Sequence, residues 1–388
     1  MNILDYIKWR SDLTFEERDL NEIDSLIFTI LSYENFEEIL PLNTSRSISE
    51  CAQLFFSIYE EKDLRTRKTL TNRSYEVLKH IANTNRYKNL ILSNYVNEID
   101  VKQDVQFSAL TITYKDKWKY IAFRGTDDTF TGWKEDFMMT YKEEVLSQKK
   151  AVEYLNKVFN EDSLLTKLLH KMTYYVGGHS KGGNLAMYAC AHVPTEIQTR
   201  IKRIDNFDGP GFDKRVWEKE SIQKIIPVMN TYIPTSSLFG RLFQHEEKVT
   251  IIKSHQMGLL QHDGFNWIVE IDHFDYENEV SLGSVKAVNK LNDLLNGYNY
   301  AEREEIIESL FDIFERLEIY TFNDLLNIDL SKLIVALKDI VDLDSKQRKV
   351  IVDFIGIIWD VTDISNEVKS EVKNFKNELK KLKLIEKW

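Results

Sequence analysis

Residues 174–190 read YYVGGHSKGGNLAMYAC. Three strand-forming residues, Tyr174, Tyr175 and Val176, run into Gly177 and Gly178; His179-Ser180-Lys181-Gly182 comes next, and the Ala/Leu/Met/Tyr run after it reads as a helix. Strand, sharp turn and helix is the order that a nucleophile elbow needs. Glycines two before and two after Ser180 let strand and helix approach, while the turn holds the serine in a strained conformation at the helix N-terminus. The first helical amides point at the space beside that hydroxyl, where an oxyanion meets N–H donors and the favourable end of the helix dipole. G-x-S-x-G alone is a short pattern, and a Gly-rich turn also serves as a packing device. Context separates the two readings: acid and histidine candidates come later in the chain order Ser, Asp, His that a fold with such an elbow uses.

Around this stretch lies a chain of 388 residues, 43% hydrophobic and 29% charged. At roughly 100–200 residues per domain, one large domain with an appended one is expected. The formal net charge of -11 argues against a nucleic-acid partner, which favours a basic face. Residues 1–20 carry charges throughout and no uninterrupted apolar run, so no secretory signal is expected. No apolar run approaches the ~18–20 residues of a spanning helix; the most apolar stretch, residues 350–361, includes Asp353 and Asp360. Two cysteines, Cys51 and Cys190, are too few for a disulfide framework or a zinc site. The expected location is cytoplasmic.

Residues 1–100 read as mainly helical, a cover for one side of the region after them: Ile23, Ile27, Ile30 and Leu31 share one stripe, and Ile48, Cys51, Leu54, Phe55 and Ile58 another. Residues 101–282 read as the α/β core. FSALTITY (107–114) and WKYIAF (118–123) form a hairpin, and the second strand opens onto Arg124-Gly125-Thr126-Asp127. By itself that is a surface turn; about one βαβ unit upstream of the elbow, it is where this fold places its other oxyanion donor. After the elbow helix, RIDNF (203–207) opens onto Asp208-Gly209-Pro210-Gly211, a strand over 228–233 onto Pro234-Thr235-Ser236-Ser237, and one over 249–253 onto His255 and then Gln261-His262-Asp263-Gly264. Strands alternating with helices predict a mostly parallel sheet, with ligand beyond the carboxyl ends of its strands. Residues 283–388 read as all helical, with segments at 301–317, 330–341 and 350–361. A final stripe of Ile364, Val368, Val372, Phe375, Leu379, Leu382 and Ile385 suits a packed helix, or else a membrane-surface or partner-binding one.

A serine hydroxyl needs a base in hydrogen-bond reach and a third group to orient that base. His80, His170 and His192 fall on helical stretches, and His179 sits inside the elbow with its ring directed away from the nucleophile. His245, His255 and His262 are the candidates, all in loops after late strands. For the acid, Asp208 in its rigid turn leads; Asp205 lies within a strand, Asp263 adjoins the histidine, and the next turn offers only Ser236 and Ser237, with Glu246 and Glu247 beyond.

Phe123-Arg124-Gly125-Thr126, Trp133 with Asp136, and Gly178-His179-Ser180-Lys181-Gly182-Gly183 together resemble the class 3, fungal-type lipases of the α/β-hydrolase superfamily. The string Gly-His-Ser-Lys-Gly-Gly-Asn-Leu-Ala, with 208–212, Ser236-Ser237 and 261–263, resembles a bacterial branch of that group, the Mbeg-like hydrolases. The resemblance implies an α/β-hydrolase fold with Ser180 as nucleophile, His262 as base, and the amides of Thr126 and Lys181 as oxyanion hole. It implies a serine ester hydrolase acting on a lipid or other acyl ester, with no metal or organic cofactor. Two departures stand out. The lipases carry their acid after the strand that here ends in Pro234, so either Asp208, one strand earlier, has taken the role or the triad is incomplete. Lys181 replaces an apolar residue and is expected at the pocket rim, drawing in an anionic substrate or pairing with a carboxylate. The alternative reading is a hydrolase-fold scaffold whose C-terminal helices bind a protein or a membrane surface.

Overall fold

The computed structural model describes residues 1–67, 73–127, 130–169, 172–320, 324 and 348–353. Among these, eight strands run in chain order across one sheet: β1 (Ser45–Ser47), β2 (Ile91–Asp100), β3 (Val105–Tyr114), β4 (Trp118–Phe123), β5 (Thr173–His179), β6 (Ile201–Phe207), β7 (Met229–Pro234) and β8 (Lys248–Ile252). A ninth short strand, Tyr276–Glu277, pairs antiparallel with β8. The pairs β1–β2, β2–β3 and β3–β4 are antiparallel, and every neighbour from β4 to β8 is parallel. The fold is α/β, with a mixed sheet that is parallel from β4 to β8.

The order of the parallel strands dictates the layers. Strands that step in one direction with crossovers of one hand put all their connecting helices on one face. That face carries α7 (Leu146–Asn160) before β5 and α9 (Lys181–His192) before β6, and its core takes Phe107, Ala109, Ile121, Phe123, Tyr174, Val176 and Ile204. The alternate residues Leu110, Ile112, Tyr120, Ala122 and Tyr175 point the other way, as the two-residue period of a strand requires. Neither α7 nor α9 covers them. The N-terminal segment does, through α1 (Ile3–Arg10), α2 (Glu22–Leu31), α3 (Ile48–Ile58), α4 (Glu61–Arg65) and α5 (Ser74–Ile81).

α2 forms the centre of that cover. Asn21 Oδ1 accepts the amides of Ile23 and Asp24, and the Asp24 carboxylate returns to the Asn21 amide, closing a capping box at the helix start. Asp24 is buried, and its charge is met by Arg86 at 2.5 and 2.8 Å and by the Tyr87 hydroxyl at 2.6 Å. The next residue, Ser25, donates its hydroxyl to Asp205 of β6 at 2.5 Å, fastening α2 to the sheet.

Two elements differ from the sequence expectation. β2 and β1 lie within the first hundred residues, so that mainly helical region also gives two strands to the sheet. In ILSNYVNEID the apolar alternation is broken by Ser93, Asn94 and Asn97, and the register shifts between Ser93 and Val96. Internal contacts divide the chain into one unit of Met1–Asp127 with Glu143–Val280, and a second of Asp128–Lys142 with Ser281–Trp388. The N-terminal helices share a unit with the sheet they cover, and the second unit takes in α6 (Phe130–Met138). In that second unit Lys134 pairs with Glu308 at 3.0 Å, Arg303 donates to the Thr140 carbonyl at 2.9 Å, and the Phe137 and Phe311 rings meet at 5.8 Å. Glu308 and Phe311 belong to the helix Tyr300–Arg316, which matches the segment expected at 301–317. A further helix, α8 (Leu164–Leu168), precedes β5. The expected segment at 330–341 and the stripe from Ile364 to Ile385 lie outside the described residues. Among the described residues no helix is long and apolar enough to cross a membrane.

Candidate active site

Ser180 follows β5 directly and has φ 58° and ψ -133°, a conformation a side-chain-bearing residue adopts only when its surroundings impose it. Two constraints do so here. Its amide donates to the Phe207 carbonyl at 2.9 Å, and its carbonyl accepts the Gly183 amide at 2.9 Å, so one side is tied to β6 and the other to the first turn of α9. Gly178 and Gly182 supply the close approach: a Cβ on Gly178 would run into the Gly182 backbone. Lys181 is the first residue of α9, which puts its amide at the helix N-terminus beside the serine.

The Arg124–Asp127 turn follows β4 and runs past the elbow, since a Cβ on Gly125 would lie 2.9 Å from Ser180 Cβ. Thr126 comes next in the chain. Arg124 braces the turn, donating to Asn97 of β2 at 2.7 Å and lying 3.8 Å from Asp127.

Asp208 follows β6 with φ 53°, a left-handed turn residue. Its amide continues the ladder to the Tyr232 carbonyl at 2.8 Å. The turn is held from α9, where Asn184 Nδ2 donates to the Pro210 and Gly211 carbonyls at 3.2 and 2.8 Å, and Gln148 of α7 donates to Asn184 Oδ1 at 2.9 Å. Gly209 packs against the Ser180 carbonyl so closely that a Cβ there has no room.

His262 ends a short 3-10 turn, Gly258–His262, beyond β8. Its Nδ1 lies 2.6 Å from Asp208 Oδ2. A carboxylate accepts, so Nδ1 carries the proton and Nε2 presents a lone pair. The second carboxylate oxygen, Oδ1, accepts from Ser237 Oγ at 2.5 Å and from the Gly240 amide at 3.2 Å. The Phe239 ring packs on the imidazole at 4.6 Å between centroids, and His179, the neighbour of Ser180, also stands at 4.6 Å from it. Four loops at the carboxyl ends of β4, β5, β6 and β7, with the segment after β8, thus gather Thr126, Ser180, Asp208, Ser237 and His262 at one edge of the sheet.

The family model for Mbeg1-like proteins matches residues 81–312, a span that takes in β2 to β8 and every residue of this constellation. The chain belongs to the Mbeg1-like family. Among solved structures, a crystal structure of M37 lipase is similar at 15% identity and a TM-score of 0.30, over 56% of this chain and 68% of that one. No curated protein matches.

In this Mbeg1-like chain the other candidates among the described residues are engaged elsewhere or stand in solvent. His245 Nδ1 pairs with Glu247 at 2.7 Å, and Glu247 also accepts from Thr231 of β7. His255 is exposed. Asp205 binds Ser25 and Arg203, and Asp263 caps the turn of Gly264–Asn266 by accepting the Phe265 amide at 3.0 Å. His192 bonds the Tyr188 carbonyl on its own helix, His80 does the same with Glu76, and His170 lies outside the described residues.

One expectation is corrected. The Lys181 ammonium is not at a rim: the residue is 1% exposed, and Nζ donates to the backbone carbonyl and the side-chain Oε1 of Gln106 on β3, both at 2.9 Å. Residue 181 lies on the face of α9 that packs on the sheet, where a long stem fits and only its head needs polar partners. Sequence reasoning named Ser237 but not its bond to Asp208, and it missed Gly240, which also holds Asp208, and Tyr33, whose hydroxyl lies 3.0 Å from His179 Nδ1. Nothing local around Tyr33 or in 237–240 announces those contacts, because their partners are 29–146 residues away.

Proposed function

We propose that this chain is a serine hydrolase that cleaves a carboxylic ester, of a lipid or another acyl compound, with Ser180 as nucleophile, His262 as base and Asp208 as the acid that orients it. The observation that carries the reading is the Asp208–His262 pair at 2.6 Å, set beside a strained serine at a strand-to-helix elbow. Asp208 fixes the tautomer that leaves Nε2 free to take a proton and offsets the charge the ring gains. Ser180 Oγ adds to the ester carbonyl as its proton passes to His262; the amides of Thr126 and Lys181 receive the developing oxyanion. Collapse expels the alcohol, which takes the proton back from His262. Water, deprotonated by the same imidazole, then releases the acid from the acyl-serine.

The test is labelling with a fluorophosphonate probe, which modifies activated serines, on the wild type, Ser180→Ala and His262→Ala. Labelling of the wild type alone supports the reading. An unlabelled wild type that also leaves an activated ester untouched would remove it, in favour of a scaffold that binds a partner or a membrane surface through its C-terminal helices.

A further inference from the structure

His179 is 2% exposed, and both of its ring nitrogens have partners. Nε2 lies 2.7 Å from the carbonyl oxygen of His262, and Nδ1 lies 3.0 Å from the Tyr33 hydroxyl. A carbonyl can only accept, so Nε2 carries the proton, and Nδ1, holding its lone pair, accepts from Tyr33. The polarity is fixed along the whole chain of bonds: Tyr33 O–H to His179, His179 N–H to the His262 carbonyl. We propose that His179, oriented by Tyr33, is a positioning residue that fixes the backbone of His262 and so aims the base between Asp208 and Ser180. This rests on the hydrolase reading proposed for the site.

Three features favour this role over simple packing. First, His262 sits in a short 3-10 turn outside the sheet, so no strand ladder holds its peptide group. Second, His179 is covalently joined to Ser180, and its clamp on residue 262 makes elbow and base loop move as one body. Reaction rate is sensitive to such registration, because a displacement of about 1 Å can lower a rate by ~100-fold. Third, the task needs a neutral group that donates at one end and accepts at the other. Burial, with His262 beside it, pushes the His179 pKa down to about 3, so the donor–acceptor pattern survives across any ordinary working pH. A cation in that position, 4.6 Å from the His262 ring, would oppose the imidazolium that forms there.

The experiment compares Tyr33→Phe, His179→Gln and His179→Phe with wild type. It measures kcat and KM on an activated ester, fluorophosphonate labelling rate, and the His179 tautomer by 15N NMR. Gln retains an amide donor where the ring had Nε2; Phe keeps the bulk and loses both bonds. The expected result is an Nε2–H tautomer in the wild type. The expected fall in kcat is roughly 10-fold for Tyr33→Phe and His179→Gln and roughly 100-fold for His179→Phe, with KM within about twofold. Tyr33→Phe removes one hydroxyl at constant shape, so it reports even where His179→Phe does not fold. An active wild type with undiminished kcat in Tyr33→Phe and His179→Gln overturns the proposal alone, as does an Nδ1–H tautomer. An inert wild type overturns the hydrolase reading and this proposal with it.

Discussion

His262 Nδ1 and Asp208 Oδ2 lie 2.6 Å apart across 54 residues of chain. The other oxygen of the same carboxylate is held by Ser237 and by the Gly240 amide, so one buried carboxylate joins the loops that come after β6, β7 and β8. Ser237 stands in the turn where the lipases that the sequence resembles carry their acid. Here it supplies a hydroxyl to an acid one strand away.

That division of the carboxylate predicts a graded series. Asp208→Asn keeps the shape but offers His262 an amide in place of a carboxylate, and is expected to lower kcat by about 10³–10⁴-fold. Ser237→Ala leaves the Gly240 bond in place and should lower kcat by roughly 10-fold, while Ser236→Ala leaves it unchanged. Steady-state kinetics on one activated ester decides the order; a larger loss for Ser236→Ala than for Asp208→Asn would move the acid elsewhere.

Gly125 is packed tightly against the elbow, where a Cβ would meet the Tyr33 hydroxyl and the His179 carbonyl. Gly125→Ala must displace the turn that carries Thr126. The expected outcome is a loss of about 1–3 kcal/mol in stability from overpacking, together with slower phosphonate labelling. Denaturant titration and labelling rates measure the two effects on the same sample, and an alanine variant with wild-type values for both contradicts the placement.

Lys181 is predicted to be a structural residue with no say in substrate charge. Lys181→Met leaves the Gln106 carbonyl and Oε1 without their buried donor and should cost about 1–3 kcal/mol. The ratio of kcat/KM for an anionic ester to that for a neutral one should stay within about twofold. A change of about tenfold or more in that ratio would return the ammonium to the site.

The buried imidazole of His179 has a consequence for stability against pH. Its pKa in the folded protein, about 3, is below the ~6.5 of an unfolded histidine, so on acidification the unfolded chain takes up the proton first. The stabilisation is complete above pH ~6.5 and is lost as pH falls from there towards about 3, with a slope approaching one proton, or about 1.4 kcal/mol per pH unit. Denaturant midpoints for wild type and His179→Gln between about pH 7 and 4 should converge as pH falls. Parallel curves would mean that His179 charges as readily in the fold as outside it.

The elbow was readable from residues 174–190 alone because strand, glycines and helix are local chemistry; the same holds for the hairpin over 107–123 and for Asp208 in its Gly/Pro turn. The strand β2 was not readable, since Ser93, Asn94 and Asn97 break the alternation that marks a strand and a shift in register replaces it. The face covered by α1 to α5 could be expected only as a helical layer. Its necessity comes from the strand order, which sends α7 and α9 to the opposite side.

The sequence by itself determined the elbow with its serine, the kind of fold and the short lists of candidate acids and bases, because each depends on residues within a few positions of one another. Only the tertiary structure paired Asp208 with His262, while His245 meets Glu247 and His255 stands exposed; it also turned Lys181 inward and set Tyr33 beside His179 and Ser237 beside Asp208. Those choices are made by loops from separate strands converging at one sheet edge, and a contact of 2.6 Å between side chains 54 residues apart is fixed by packing and strand order, which leave no local pattern in the chain.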